Sequence, residues 1–278
     1  MPIPPELEDA DARTRFLRAN ELVNETQDEL TELLRIRREA AIELVDSGHS
    51  QTELGRWSGM SRARIGQLLA SGPQPERILL GAGSNVTVAI GGKAEANSAA
   101  AASTNAMISN EAAKAYDLIA DLCSTYGLRT QRETVPPPGL VRLNRPNLIV
   151  IGSPKVLPIV GQVIEADPNY GFEQSGSGWH LVDHQDGLTF KSPAEKGESC
   201  DYAYLGRLPR PDGKGNFLYL AGIHAMGTHV AAQYLVDNID SLYTTVKNRN
   251  WSLLIEGCYD QDSREITSTK PLRDVRTF

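Results

Sequence analysis

Six side chains between residues 51 and 67 are of the types that reach the phosphates and base edges of duplex DNA: Gln51, Arg56, Ser61, Arg62, Arg64 and Gln67. Arginine can bond guanine bidentately and glutamine can do the same for adenine. A serine at a helix N-terminus suits a phosphate contact. A second set lies in three glycine-containing loops, each after an apolar run. These are Gly91-Gly92-Lys93, Gly152-Ser153-Pro154-Lys155, and the stretch from Gly222 and His224 to Gly227 and Thr228. Loops of this kind after parallel strands place backbone N–H groups, lysines and hydroxyls around an anionic group such as phosphate. None of the three is a Walker motif or a G-x-G-x-x-G fingerprint, so they do not fix the class of ligand.

The first set needs two short helices to position it. Ser50 and Glu53 make an S-x-x-E capping box, Leu54 faces a core, and Gly59 breaks the helix. Ser61 caps a second helix whose apolar positions are Ile65, Leu68 and Leu69. Before them, residues 14–47 predict one long helix stopped by Gly48. Its stripe of Leu30, Leu33, Leu34, Ala41, Leu44 and Val45 suits packing on the two short helices. The earlier cluster of Phe16, Leu17, Leu22 and Val23 has no partner in so small a domain and reads as a dimer-forming or interdomain surface.

Residues 50–70 resemble the helix-turn-helix of bacterial regulators and of sigma factor region 4. Leu54 and Gly55, the turn glycine Gly59, then Met60, Ile65 and Leu68 carry the resemblance. Ser58 departs from it, since the pattern has an aliphatic residue there, and neighbouring Trp57 is expected to fill that space. The resemblance implies a second helix in the major groove of double-stranded DNA, and a homodimer reading two half-sites. It covers about twenty residues directly, or about sixty with the long helix.

Beyond Ser71 to Pro75 the texture changes to alternating short strands and helices. The fold class expected is α/β: a helical helix-turn-helix domain (1–72), a linker (73–84), and a Rossmann-like α/β sandwich with a mostly parallel sheet (85–278) that senses a ligand or dimerises. Strands are expected near 129–135, 147–151, 202–208, 217–221 and 251–256, and helices at 111–126 and about 230–246. A D-G turn at Asp186-Gly187 predicts a hairpin.

Charge and composition limit the partners. A net charge of −7 excludes a generally basic nucleic-acid coat, yet no acidic residue lies between Leu54 and Pro75. No run approaches the roughly 20 apolar residues of a membrane span, and the acidic start lacks the features of a signal peptide. Cys123, Cys200 and Cys258 are widely spaced and odd in number, which predicts no disulfide framework and a reducing cytoplasm. No metal or cofactor is expected: His224 and His229 share no helical face, and His180 and His184 flank a hairpin turn. The reading is a DNA-binding transcriptional regulator sensing a small, nucleotide-like ligand. The alternatives are a nucleotide- or NAD-processing enzyme, using His224 or His229 with Asp201 or Asp183, and a protein-interaction module.

Overall fold

The computed structural model describes residues 11–71, 75–94, 106–176 and 178–278. The chain divides into two compact units, Met1–Pro75 and Glu76–Phe278.

The described residues of the first unit form three helices. Helix α1 (Ala12–Asp46) starts at Asp11, whose carboxylate accepts from the amides of Arg13 and Thr14. Helix α2 (Gln51–Ser58) carries the capping box, with the Glu53 carboxylate accepting from the Ser50 amide at 2.8 Å. It ends at Gly59, whose φ of 70° is the left-handed conformation that favours glycine. A side chain at Gly55 would meet the Met60 carbonyl at 2.6 Å, so only glycine lets the turn fold back on α2. In α3 (Arg62–Ser71), the Ser61 hydroxyl accepts from the Arg64 amide. Ala41, Leu54, Ile65 and Leu68 form the buried core, with Leu44, Val45, Met60 and Leu69 against it. Two expectations need correction. Leu33 is exposed rather than packed on the short helices. Trp57 does not fill the space beside Ser58; it is half exposed and sets its ring edge-on to His49, while the Ser58 hydroxyl donates to the Leu54 carbonyl.

The second unit begins earlier than the sequence reading placed it. Residues 75–79 form a 3-10 turn, and Leu79 and Leu80 are buried in the core, so only the first part of the expected 73–84 linker lies outside. A seven-stranded sheet follows in the order β12-β11-β9-β10-β5-β1-β4. Its strands are β1 (Asn85–Gly91), β4 (Arg129–Val135), β5 (Leu148–Ile151), β9 (Cys200–Pro209), β10 (Asn216–Gly222), β11 (Trp251–Tyr259) and β12 (Ile266–Thr277). Strands β4, β1, β5 and β10 are parallel; β9, β11 and β12 run antiparallel to their neighbours. The sheet is thus parallel in one half only, not mostly parallel.

Alternate residues of the central strands enter two cores. Ile149 and Ile151 face helices α4 (Asn110–Thr125) and α6 (Ala225–Val246), and Leu148 and Val150 face helix α5 (Pro158–Ile164). Both faces being covered explains why β5 reads as an unbroken apolar run. On the α5 face lies a three-stranded antiparallel sheet of β6 (Tyr170–Ser175), β7 (Gly178–Asp183) and β8 (Leu188–Phe190), with the expected hairpin between the last two. A two-residue ladder of β2 (Lys93–Ala94) and β3 (Ala106–Met107) follows β1. Most of the low-complexity stretch 94–106 lies outside the described residues.

The cysteine reading is also corrected. Cys200 and Cys258, 58 positions apart, face each other across β9 and β11 and form a disulfide; Cys123 is free and buried. Among the described residues no helix is long and apolar enough to cross a membrane.

The small sheet is tied to β12 through Asp183, whose side chain is fully buried. Its carboxylate accepts from Arg273 Nε at 2.8 Å and Arg276 Nη1 at 2.7 Å. Burial alone would raise its pKa, but the two guanidiniums hold it below the usual carboxylate range. A depressed carboxylate stabilises the fold above its unfolded pKa and loses that contribution as pH falls through the folded value. Asp183→Asn should therefore cost about 2–4 kcal/mol at pH 7. The gap between the urea midpoints of variant and wild type should shrink progressively as the pH falls below the ordinary carboxylate value of about 4; a gap that stays constant through the acid range would contradict this role.

Candidate functional site

Strands β1, β5 and β10 are parallel neighbours, so their carboxyl ends share one sheet edge. Chain leaving β1 returns to β4 through α4 on one face, whereas chain leaving β5 passes into α5 on the other. Connections that part in this way open a crevice beyond the strand ends, the usual ligand position in open α/β sheets. A cavity of about 150 Å³ lies there.

All three glycine loops line it. Of the ten expected residues, Gly91, Lys93, Gly152, Ser153, Lys155, Gly222, His224 and Thr228 border the cavity, joined by Met107, Ser109 and Ala225 among others. Gly92 and Gly227 do not. A side chain at Gly92 would strike Ala106, and one at Gly227 would strike the Tyr202 carbonyl and Asp201, so both glycines serve close packing. Gly91 is similar in origin: Val156 and Leu157 fold over it, within 2.8 Å of where a Cβ would stand.

The expected role of the loop amides is corrected as well. The Gly92 amide donates to the Val135 carbonyl, and Gly152 donates to the Leu220 carbonyl. Gly222 donates to Thr228 Oγ1 at 3.0 Å and Gly227 to Asp201 Oδ2 at 2.7 Å. These four donors are engaged within the protein. The residues bordering the cavity also bring together Lys93, Lys155, Ser153 and His224, beside the start of α6, where His224 makes no side-chain cap. Lys93 is placed by its pairing with Met107 in the β2–β3 ladder.

Asp201 is the residue that shapes this edge, and sequence reasoning named it only as a catalytic candidate. It is fully buried, and its carboxylate accepts from Ser192 Oγ at 2.6 Å, the Tyr202 amide at 2.9 Å, the His224 amide at 3.1 Å and the Gly227 amide. It therefore holds the first turn of α6 against β9, with its negative charge at the positive end of the helix. Burial pushes its pKa up, opposed by the Ser192 hydroxyl, the charge of His224 and the amides of Gly227 and Tyr202.

The acid–base pairs of the enzymatic alternative are held otherwise. The His224 ring lies 3.8 Å from Glu195, and it is the His224 amide that meets Asp201. His229 is buried on α6, where desolvation and then Lys114 lower its pKa. Asp183 is committed to Arg273 and Arg276. His180 is buried in β7, 3.7 Å from Glu173, and among the described residues no cluster of three His, Cys, Asp or Glu could hold a metal ion.

In the first unit, Arg56, Ser61, Arg62, Arg64 and Gln67 are all exposed, the last four on or next to α3. Ile65 and Leu68 are buried beneath them. Gln51 differs: it is half buried, with its side-chain oxygen close to Gly66 on α3, which makes it a packing residue between the two short helices. Arg38 reaches the Leu69 carbonyl at the end of α3, and Arg37 is exposed. Comparison of the chain with family models, curated proteins and solved structures found no match.

Proposed function

We propose that this chain is a DNA-binding transcriptional regulator whose second unit binds a small anionic ligand at the crevice beyond β1, β5 and β10. The observation that carries the DNA reading is the split of α3 into two faces. Ile65 and Leu68 are buried, and Arg62, Arg64 and Gln67 are presented together on the outside. A ten-residue helix is about 15 Å long and fits the major groove. The capping box and the Gly59 turn support a helix-turn-helix, and the absence of acidic residues from Leu54 to Pro75 keeps phosphate repulsion away from α3.

One such helix contacts few phosphates, so a monomer binds weakly and with strong salt dependence. A homodimer supplies the second helix. Phe16, Leu17 and Val23, each more than half exposed along α1, support that pairing. The parallel half-sheet, with its crevice at the strand ends, supports a Rossmann-like reading of the second unit and a ligand that bears a negative group.

The test is selection of genomic fragments on the immobilised full-length chain, followed by sequencing. Fragments sharing two half-sites, spaced by about 10 base pairs or a multiple, are expected. Recovery that mirrors the input library would sink the assignment.

A further inference from the structure

The crevice is too small for most metabolites. Its volume of about 150 Å³ lies below the usual range of small-molecule pockets, about 300–1,000 Å³, and suits a small anionic group. The remainder of any ligand must therefore lie outside it. Lys155 lines the crevice and also a second, wider groove of about 440 Å³ between α5 and the β6–β7 hairpin. That groove is within the usual range of small-molecule pockets, about 300–1,000 Å³. Its lining is unlike that of the crevice. Phe172 and Trp179 provide aromatic surface, and Gln162, Glu165 and Gln174 provide acceptors and donors.

Both aromatic residues are partly buried. Phe172 packs on Tyr204 at 6.2 Å between ring centres, and Trp179 is half buried in β7, paired with Gln174 of β6. A half-buried indole beside amide and carboxylate side chains suits a planar ring with polar edges.

We infer that the ligand is a nucleotide, with its phosphate in the crevice against Lys155 and Ser153 and its base in the groove against Trp179 and Phe172. This rests on the reading of the crevice as an anion site. The division of labour is what the geometry adds: the crevice takes the charge, and the groove takes the base. Glu165, an acceptor when ionised, and the two glutamines select a base with N–H donors along its edge. A sugar phosphate would satisfy the crevice and leave the groove to water.

Calorimetry on the full-length chain with GMP, AMP, ribose 5-phosphate and inorganic phosphate tests the inference. At least one mononucleotide should bind about 10-fold or more tighter than ribose 5-phosphate, since stacking of a base on an aromatic ring contributes about 1–3 kcal/mol. Trp179→Ala should bring the nucleotides down to the sugar phosphate and leave ribose 5-phosphate unchanged, which also shows that the variant is folded. Lys155→Ala should weaken every phosphate-bearing probe. Ribose 5-phosphate binding as tightly as both nucleotides would overturn the groove assignment while leaving the crevice intact. An equal loss of all probes in Trp179→Ala and Trp179→Phe would do the same. Failure of all four probes to bind the wild type would overturn the crevice as an anion site, and this inference with it.

Discussion

Replacing Arg62 and Arg64 together by alanine is expected to weaken binding to a selected duplex by about 100-fold or more. Each arginine that reaches a base edge or phosphate contributes about 1–3 kcal/mol, and the two are presented on the same exposed surface. The fold should be untouched. Both side chains are exposed, the helix is anchored by Ile65 and Leu68, and its N-cap is the Ser61 hydroxyl. Alanine is also a better helix former than arginine. Fluorescence anisotropy with a labelled duplex measures the affinity, and circular dichroism checks that helicity is retained. The salt dependence should become shallower too, since two cationic partners for phosphate are gone. Unchanged affinity in the double variant would remove α3 from any DNA interface.

The second large effect belongs to Asp201. Asp201→Ala should destabilise the chain by about 3–5 kcal/mol, because it strips a buried acceptor from several donors at once. The amides of His224 and Gly227 and the hydroxyl of Ser192 would each lose a partner in a region closed to water. Asp201→Asn keeps one carbonyl oxygen and should cost less. Urea unfolding gives both numbers. The more informative readout is local: hydrogen exchange at the start of α6, residues 225–228, should accelerate in Asp201→Ala while the β5 amides stay protected. Uniform acceleration across the second unit would mean that Asp201 acts on global stability and does not specifically hold the crevice wall.

Local order was legible in the sequence to a large extent. The helix expected over 14–47 forms over 12–46, and those expected near 111–126 and 129–135 as helix and strand form within a residue of those limits. The two helices carry their own side-chain N-caps, Asp11 and Ser109. The convergence of the three glycine loops also followed from sequence, since apolar runs ending in glycine mark buried parallel strands whose carboxyl ends share an edge. Strand direction in the other half of the sheet was not legible. Strand β9 is as apolar as β10, and only the short turn between them makes the pair antiparallel. That turn also explains two further misses. It brings Asp201 under a helix start more than twenty positions away, and the β9–β11 register sets Cys200 opposite Cys258. Helix α6 begins at Ala225, not near Val230, because its first turn is held by that distant carboxylate and has no capping side chain of its own. The roles of the loop amides were misjudged for a related reason: a glycine in the sequence does not reveal which acceptor its amide will find.

In the helical unit, Ala41, Leu44, Val45, Leu54, Ile65, Leu68 and Leu69 pack together as the sequence implied, and the side chain of Leu30 lies outside the described residues; Gln51, Leu33 and Trp57 depart from expectation. Each of these turns on packing detail. Gln51 lies over Gly66, a position with no side chain to exclude it. Leu33 sits on α1 away from the two short helices, and Trp57 is drawn to His49.

The proposed function depends most on whether α3 reads sequence. The direct measurement is the equilibrium affinity of the full-length chain for a selected duplex against a scrambled duplex of equal length and composition, at about 0.15 M salt. A regulator of the proposed kind should bind the selected duplex about 1,000-fold or more tightly than the scrambled one. Equal affinity for the two duplexes, or binding to neither, would contradict it.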